Sequence, residues 1–194
     1  MAGGTGNDTY HVNHVGDVVT EGAGGGTDTI LASVDHTLAA TSQIEFLQAA
    51  AGAPGLELTG NGLANAITGG DGDDVIAGGG GADLLLGGLG ADIFALLALA
   101  DSKVAFAGRD TIGDFSALAG DLVGLAGLDA NTGLGGDQAF TFIGNAAFSG
   151  AGQVRAEVIG GDTIVSGNVN AALGADFAIT LTRSHTLTGA NFIL

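Results

Sequence analysis

Between residues 60 and 113 a large apolar residue recurs at nine-residue intervals: Ile67, Ile76, Leu85, Phe94 and, after one gap, Ile112. Each follows an Asp or Asn by two positions, and Ile67, Ile76 and Leu85 lie just before a glycine-rich stretch. One inward apolar side chain with outward neighbours is the pattern of a short β-strand. A Gly-rich flexible linker would not place an apolar residue every nine positions. The spacing predicts a coil of strand, turn, strand, turn, with two nonapeptides per coil and turns of the same parity stacked on one another.

Three units stand back to back: GGDGDDVIA (69–77), GGGGADLLL (78–86) and GGLGADIFA (87–95). All fit G-G-x-G-x-D-x-U-x, with U a large apolar residue. From the chain's own Gly and Asp content, a chance match to G-G-x-G-x-D is roughly a 1-in-1500 event per position, so three in phase are no accident. Glycines at the first, second and fourth places allow positive φ, and such turns aim carbonyl oxygens inward beside the Asp carboxylate. Hard oxygen donors from two stacked turns suit Ca²⁺, which takes about 6–8 oxygens at about 2.3–2.6 Å, better than Mg²⁺ with its strict octahedron.

The expected ligands are the carboxylates of Asp74, Asp83 and Asp92 and the turns of Gly69, Gly70, Gly72, Gly78, Gly79, Gly81, Gly87, Gly88 and Gly90. The frame extends to Asn65 upstream and to Asp101 and Asp110 downstream, although residues 96–104 contain no glycine. Parity then predicts two columns, Asp74/Asp92/Asp110 and Asn65/Asp83/Asp101. Asp71 and Asp73, at variable places, read as solvated surface.

A more worn array opens the chain. GGTGNDTYH (3–11) is a full match, Asp17 and Val19 keep the frame, and two extra residues precede Gly26-Thr27-Asp28-Thr29-Ile30. Asp8 and Asp28 are expected to form a further Ca²⁺ site, with Tyr10, Val19 and Ile30 in the core. Residues 31–59 read as roll strands (near 37–38 and 44–47) without metal-binding turns. Three segments follow: degenerate repeats over 1–59, the main calcium-binding roll over 60–114, and a β cap over 115–194. In the cap, QVRAEV (153–158), DTIVSG (162–167) and DFAITLT (176–182) alternate as antiparallel strands, with Gly160-Gly161-Asp162 at a hairpin turn. The fold class is all-β, a right-handed parallel β-roll followed by a mixed or antiparallel cap.

Charge sharpens the picture. The chain has 38 Gly, 21 acidic and four basic residues and a net charge of −17. Fifteen of the acids fall in the first 114 residues, where the repeats are. Self-repulsion opposes compaction, so folding is expected to be coupled to Ca²⁺. Nucleic acid is excluded as a partner, as is an anionic membrane surface. No apolar run is long enough for a membrane span, and Met1-Ala2 leads straight into the first repeat without a signal peptide. The absence of cysteine fits a secreted protein stabilised by metal. Weak extracellular-type sites would leave the roll unfolded in a calcium-poor cytosol.

At this point the chain resembles a known family. The nonapeptides, then Asp110-x-Ile112-x-Asp114-Phe115, Gly120-Asp121 with Leu125, and Phe140-x-Phe142-Ile143-Gly144 are similar to the C-terminal β-roll of serralysin-type RTX exoproteins. The resemblance implies several bound Ca²⁺ ions, with Asp110 and Asp114 closing the last site. It also implies export through type I secretion machinery to the outside of a bacterial cell. Asn191 stands before Phe192-Ile193-Leu194 where relatives often carry an acid, and Asn168-Val169-Asn170-Ala171-Ala172-Leu173 lacks the acids of the D-x-N-x-D-G loops, so no Ca²⁺ site is expected there.

No catalytic constellation emerges. His11 and His14 lack the H-E-x-x-H spacing; there is no cysteine nucleophile and no G-x-S-x-G elbow. The expected function is a non-catalytic calcium-binding module that folds outside the cell and supports secretion and stability of a secreted protein, of which a larger enzyme is one form. The alternative is a calcium-dependent adhesin, S-layer or polysaccharide-binding module. Only Lys103, Arg109, Arg155 and Arg183 could contact a polyanionic glycan.

Overall fold

The computed structural model describes residues 1–194. Its strands in chain order are β1 (Thr9–Val12), β2 (Thr29–Ala32), β3 (His36–Thr37), β4 (Phe46–Ala49), β5 (Glu57–Thr59), β6 (Ala66–Gly70), β7 (Val75–Ala77) and β8 (Leu84–Gly88). There follow β9 (Ile93–Ala95), β10 (Thr111–Ile112), β11 (Leu122–Gly124), β12 (Thr141–Phe142), β13 (Gln153–Ile159), β14 (Asp162–Asn168), β15 (Phe177–Leu181) and β16 (Phe192–Ile193). Helix is confined to two three-residue 3-10 turns, Phe106–Gly108 and Gly189–Asn191. No helix is long and apolar enough to cross a membrane.

From β4 to β11 successive strands alternate between two sheets, so each coil contributes one strand to each face. The larger sheet runs β1-β2-β4-β6-β8-β10-β15-β14-β13-β12 and the smaller β16-β11-β9-β7-β5-β3. Pairing is parallel throughout the roll. The register sets the apolar slots directly above one another. Tyr10, Ile30, Leu47, Ile67, Leu85, Ile112 and Leu181 form one file. Leu58, Ile76, Phe94, Val123 and Phe192 form the facing one. Each member is buried, and a buried side chain of this size contributes about 1.5–3 kcal/mol. The two files are the centre of one continuous hydrophobic core.

The three sequence segments share that core, because the last 80 residues graft onto both sheets. β15 runs parallel to β10 and sets Leu181 on Ile112, while β16 sets Phe192 on Val123. β13, β14 and β15 are antiparallel. Gly160 and Gly161 connect β13 to β14 with φ of 67° and 104°, the two positive values of a type I′ hairpin turn.

Candidate metal centre

Just before most roll strands an acid occupies the Asp slot, and one oxygen of its side chain links the coils. Asn65 N–H donates to Asp83 Oδ1 at 2.7 Å, and Asp83 N–H donates to Asp110 Oδ1 at 3.1 Å. In the facing column Leu56 N–H donates to Asp74 Oδ1 (2.6 Å), Asp74 N–H to Asp92 Oδ1 (2.9 Å) and Asp92 N–H to Asp121 Oδ1 (3.1 Å). The opening repeats follow the same rule: Asp8 N–H donates to Asp28 Oδ1 and Asp28 N–H to Glu45 Oε2, both at 2.8 Å. One carboxylate oxygen therefore serves the fold.

The other oxygen has no protein partner. Oδ2 of Asp8, Asp28, Asp74, Asp83 and Asp92 is buried and accepts no hydrogen bond. A buried, unpaired carboxylate oxygen is costly, and five of them at the same place in their turns, three along one sheet and two along the other, call for the same kind of ligand. The glycines make room for it. A Cβ on Gly69 would lie 2.3 Å from Asp74 Oδ2 and 2.6 Å from Gly87 O; on Gly87 it would lie 2.1 Å from Asp92 Oδ2. A carboxylate from one coil and a glycine carbonyl from the next thus converge at the space a side chain would fill. In the alternate column a Cβ on Gly78 would lie 2.4 Å from Asp83 Oδ2. Gly88, at φ +97°, brings the space beside its Cα to within 2.1 Å of Gly70 O, a stacking only glycine permits. The donors are all oxygen, mixed carboxylate and carbonyl, which is the set Ca²⁺ prefers.

No protein cation competes for these oxygens. The first 102 residues contain no Lys or Arg, and the one salt bridge of the molecule joins Arg155 to Glu157 in the cap. The family model for the RTX calcium-binding nonapeptide repeat, in four copies, matches residues 59–94.

Residues 59–94 carry RTX calcium-binding repeats.

The solution structure of the AlgE6R2 subunit from the Azotobacter vinelandii mannuronan C5-epimerase is similar at 21% identity and a TM-score of 0.45, over 100% of this chain and 89% of that one. That of the AlgE6R3 subunit of the same enzyme is similar at 25% identity and a TM-score of 0.42, over 72% of this chain and 77% of that one. No curated protein sequence matches the chain.

Along the roll, burial is the main force on the carboxyls. It pushes Asp83 up to about 8, Asp110 to about 7 and Asp92 to about 6, and raises Asp74 and Asp121 in the same direction. Accepted backbone N–H groups oppose the rise, while neighbouring carboxylates add to it. Carboxyls held this high without metal are groups that a divalent cation would ionise and stabilise.

Four expectations require correction. Asp110 stacks on Asp83, not on Asp92, because β10 pairs with β8 and residues 96–109 loop out between β9 and β10. Asp101 lies in that loop and turns its Oδ2 to Ala98 N–H at 2.8 Å, out of the column. The physical reason is the glycine-free stretch 96–104, which cannot make the tight turn. Asp110 and Asp114 stand at opposite ends of β10 and do not close one site: Asp114 accepts from Gly87 N–H and Gly88 N–H, each at 3.0 Å. Asp121 takes the place after Asp92, using Oδ2 to accept Ser116 N–H. Asn65 satisfies its own amide, Oδ1 accepting Asn61 N–H and Nδ2 donating to Ile44 O, so it leaves no orphaned oxygen.

Sequence reasoning missed Glu45 and Asp121 as slot residues; both repeat the acid-x-apolar ending (Glu45-Phe46-Leu47 and Asp121-Leu122-Val123) without the G-G-x-G turn before it. Asp73 is not merely solvated: its Oδ1 accepts Ala91 N–H at 2.8 Å across the coil, as Asn7 Oδ1 accepts Thr27 N–H.

Proposed function

We propose that this chain is a non-catalytic module whose β-roll folds on binding several Ca²⁺ ions outside the cell, and which thereby supports the export and stability of a secreted protein. The observation that carries the reading is the set of five buried aspartate oxygens without partners, Asp8, Asp28 and Asp83 on one sheet and Asp74 and Asp92 on the other, set against stacked glycine turns. Asp74, Asp83 and Asp92, with the turns at 69–72, 78–81 and 87–90, would hold the ions of the main array; Asp8 and Asp28 would hold one at the opening repeats. Bound Ca²⁺ supplies the positive charge that the chain lacks. A net charge of −17 keeps the metal-free chain expanded, a form suited to passage through type I secretion machinery, while calcium near millimolar outside the cell drives compaction. The secretion route rests on the resemblance of the repeats to those of secreted RTX proteins. Arg155 is committed to Glu157 and lies over Phe148, which leaves only Lys103, Arg109 and Arg183 to meet a polyanion.

A calcium titration of chelated protein, followed by far-UV circular dichroism with magnesium as control, tests this. The expected result is a steep, calcium-selective gain of β signal. Full structure in excess chelator would overturn it.

A further inference from the structure

We propose that Asp8, Glu21 and Asp28 form a separate Ca²⁺ site at the N-terminal edge of the roll, in which Glu21 supplies a ligand the nonapeptide register does not encode. The inference rests on the calcium reading above but concerns a place outside the matched repeats, which begin at residue 59.

One carboxylate oxygen from each of the three residues lies within 4.8 Å of the others. Asp28 is fully buried, Glu21 is 4% exposed, and Oδ2 of both Asp8 and Asp28 has no partner. Three carboxylates this close repel one another, and no Lys or Arg precedes residue 103 to offset them. A divalent cation is the remaining source of charge. Oxygen-only donors without histidine or sulfur point to Ca²⁺.

The sequence explains how Glu21 gets there. The turn before β2 is two residues longer than a nonapeptide, and the extra length begins just after the core residue Val19. Glu21 folds back over the first turn: Oε2 accepts Gly3 N–H at 3.1 Å and Oε1 accepts Gly22 N–H at 3.2 Å. Glycines line the space. A Cβ on Gly3 would lie 2.1 Å from Asp8 Oδ2, and one on Gly25 would lie 2.8 Å from Glu21 Oε1. A long acid thus enters the room that glycines leave for metal elsewhere in the roll.

Tyr10 gives the site its own signal. Its hydroxyl donates to Glu21 Oε2, and it is the one tyrosine of a chain without tryptophan. Asp83 is four strands away in the same sheet, on the order of 19 Å at ~4.8 Å per strand. Energy transfer from tyrosine to bound Tb³⁺, a luminescent substitute for Ca²⁺, falls steeply with distance and so reports the N-terminal site.

The experiment excites Tyr10 in the full-length protein during Tb³⁺ titration, then displaces the ion with Ca²⁺. Calcium-induced β signal is recorded on the same samples. The expected result is sensitised emission that Ca²⁺ abolishes, with Tb³⁺ binding at least about tenfold weaker in Glu21→Gln. Asp28→Asn should act likewise, while both variants still gain β structure with Ca²⁺. Absence of sensitised emission from the unmodified protein, alongside a normal calcium-induced β signal, would sink the site and leave the function standing. Unchanged emission in Glu21→Gln would remove Glu21 from it. Failure of the unmodified chain to respond to Ca²⁺ in either readout would sink both.

Discussion

Asp92 Oδ1 accepts the backbone N–H of Asp74 at 2.9 Å, while Asp92 Oδ2, on the same carboxylate, is buried with no partner at all. One oxygen ties two coils together and the other is the proposed Ca²⁺ ligand, so two substitutions separate the roles. Asp92→Asn keeps an acceptor for Asp74 N–H but loses the charge; its calcium midpoint should rise by about tenfold. Asp92→Ala loses both, and leaves a buried N–H unsatisfied at a further cost of about 1–3 kcal/mol. Chemical denaturation in saturating Ca²⁺ should therefore rank Asp92→Ala below Asp92→Asn. Equal stabilities would mean that the hydrogen bond adds nothing.

Glycine content alone does not make a site; position does. A Cβ at Gly87 would fall 2.1 Å from Asp92 Oδ2, whereas one at Gly80, third in its repeat, would meet nothing nearer than Gly62 Cα at 3.6 Å. Gly87→Ala should displace the carboxylate, raise the calcium midpoint and destabilise the loaded roll by about 1–3 kcal/mol. Gly80→Ala should stay within about 0.5 kcal/mol of the unmodified protein. Calcium titrations of the two variants side by side decide the matter, and a matched loss would contradict the assigned positions.

The nine-residue period made the roll legible because each half-coil spends its residues in a fixed way: a tight turn, a slot acid and one inward side chain. Ile67, Ile76, Leu85 and Phe94 fell where that period put them. The same regularity hid the main error. Asp110 stands in frame with Asp92 and Asp101, but an excursion one repeat long preserves the frame while exchanging the faces. Parity counting is blind to such a shift; the missing glycines of 96–104 were the physical sign of it. Glu21 and Glu45 escaped for another reason. Glu21 reaches its place from a lengthened turn, for which a fixed template has no slot, while Glu45 holds the slot before β4 with a longer acid and without the glycine turn that marks it.

Acid should partly substitute for calcium. In the metal-free protein the carboxyls of Asp83, Asp110 and Asp92 stand near 8, 7 and 6 because burial disfavours their charge, against about 3.9 in an unfolded chain. The folded form then holds protons that the unfolded form has released. That stabilisation is complete below about pH 4 and is lost as pH rises toward 8. Chelated protein should show more β structure at pH 5 than at pH 8. Because ligands must be deprotonated to bind metal, the calcium midpoint should rise as pH falls. Circular dichroism in chelator across this range is the check; loss of β signal on acidification would contradict the burial argument.

Asp101 and Asp110 provide the sharpest comparison, since a strict nine-residue count treats them alike. In the structure Asp110 is buried, accepts Asp83 N–H through Oδ1 and receives Ser102 Oγ at its own N–H, whereas Asp101 caps a turn in the loop through Ala98 N–H. Asp110→Ala removes the coil link beneath a metal-facing aspartate, so the calcium midpoint should rise by about tenfold and the calcium-loaded protein should lose about 1–3 kcal/mol. Asp101→Ala, which removes a turn contact and a neighbouring negative charge from a half-buried position, should shift the midpoint much less and cost under about 1 kcal/mol. Calorimetric titration of the two variants separates the alternatives. Equal weakening by both substitutions would return Asp101 to the column and with it the simple alternation of faces; weakening by Asp110→Ala alone would fix the excursion at residues 96–109.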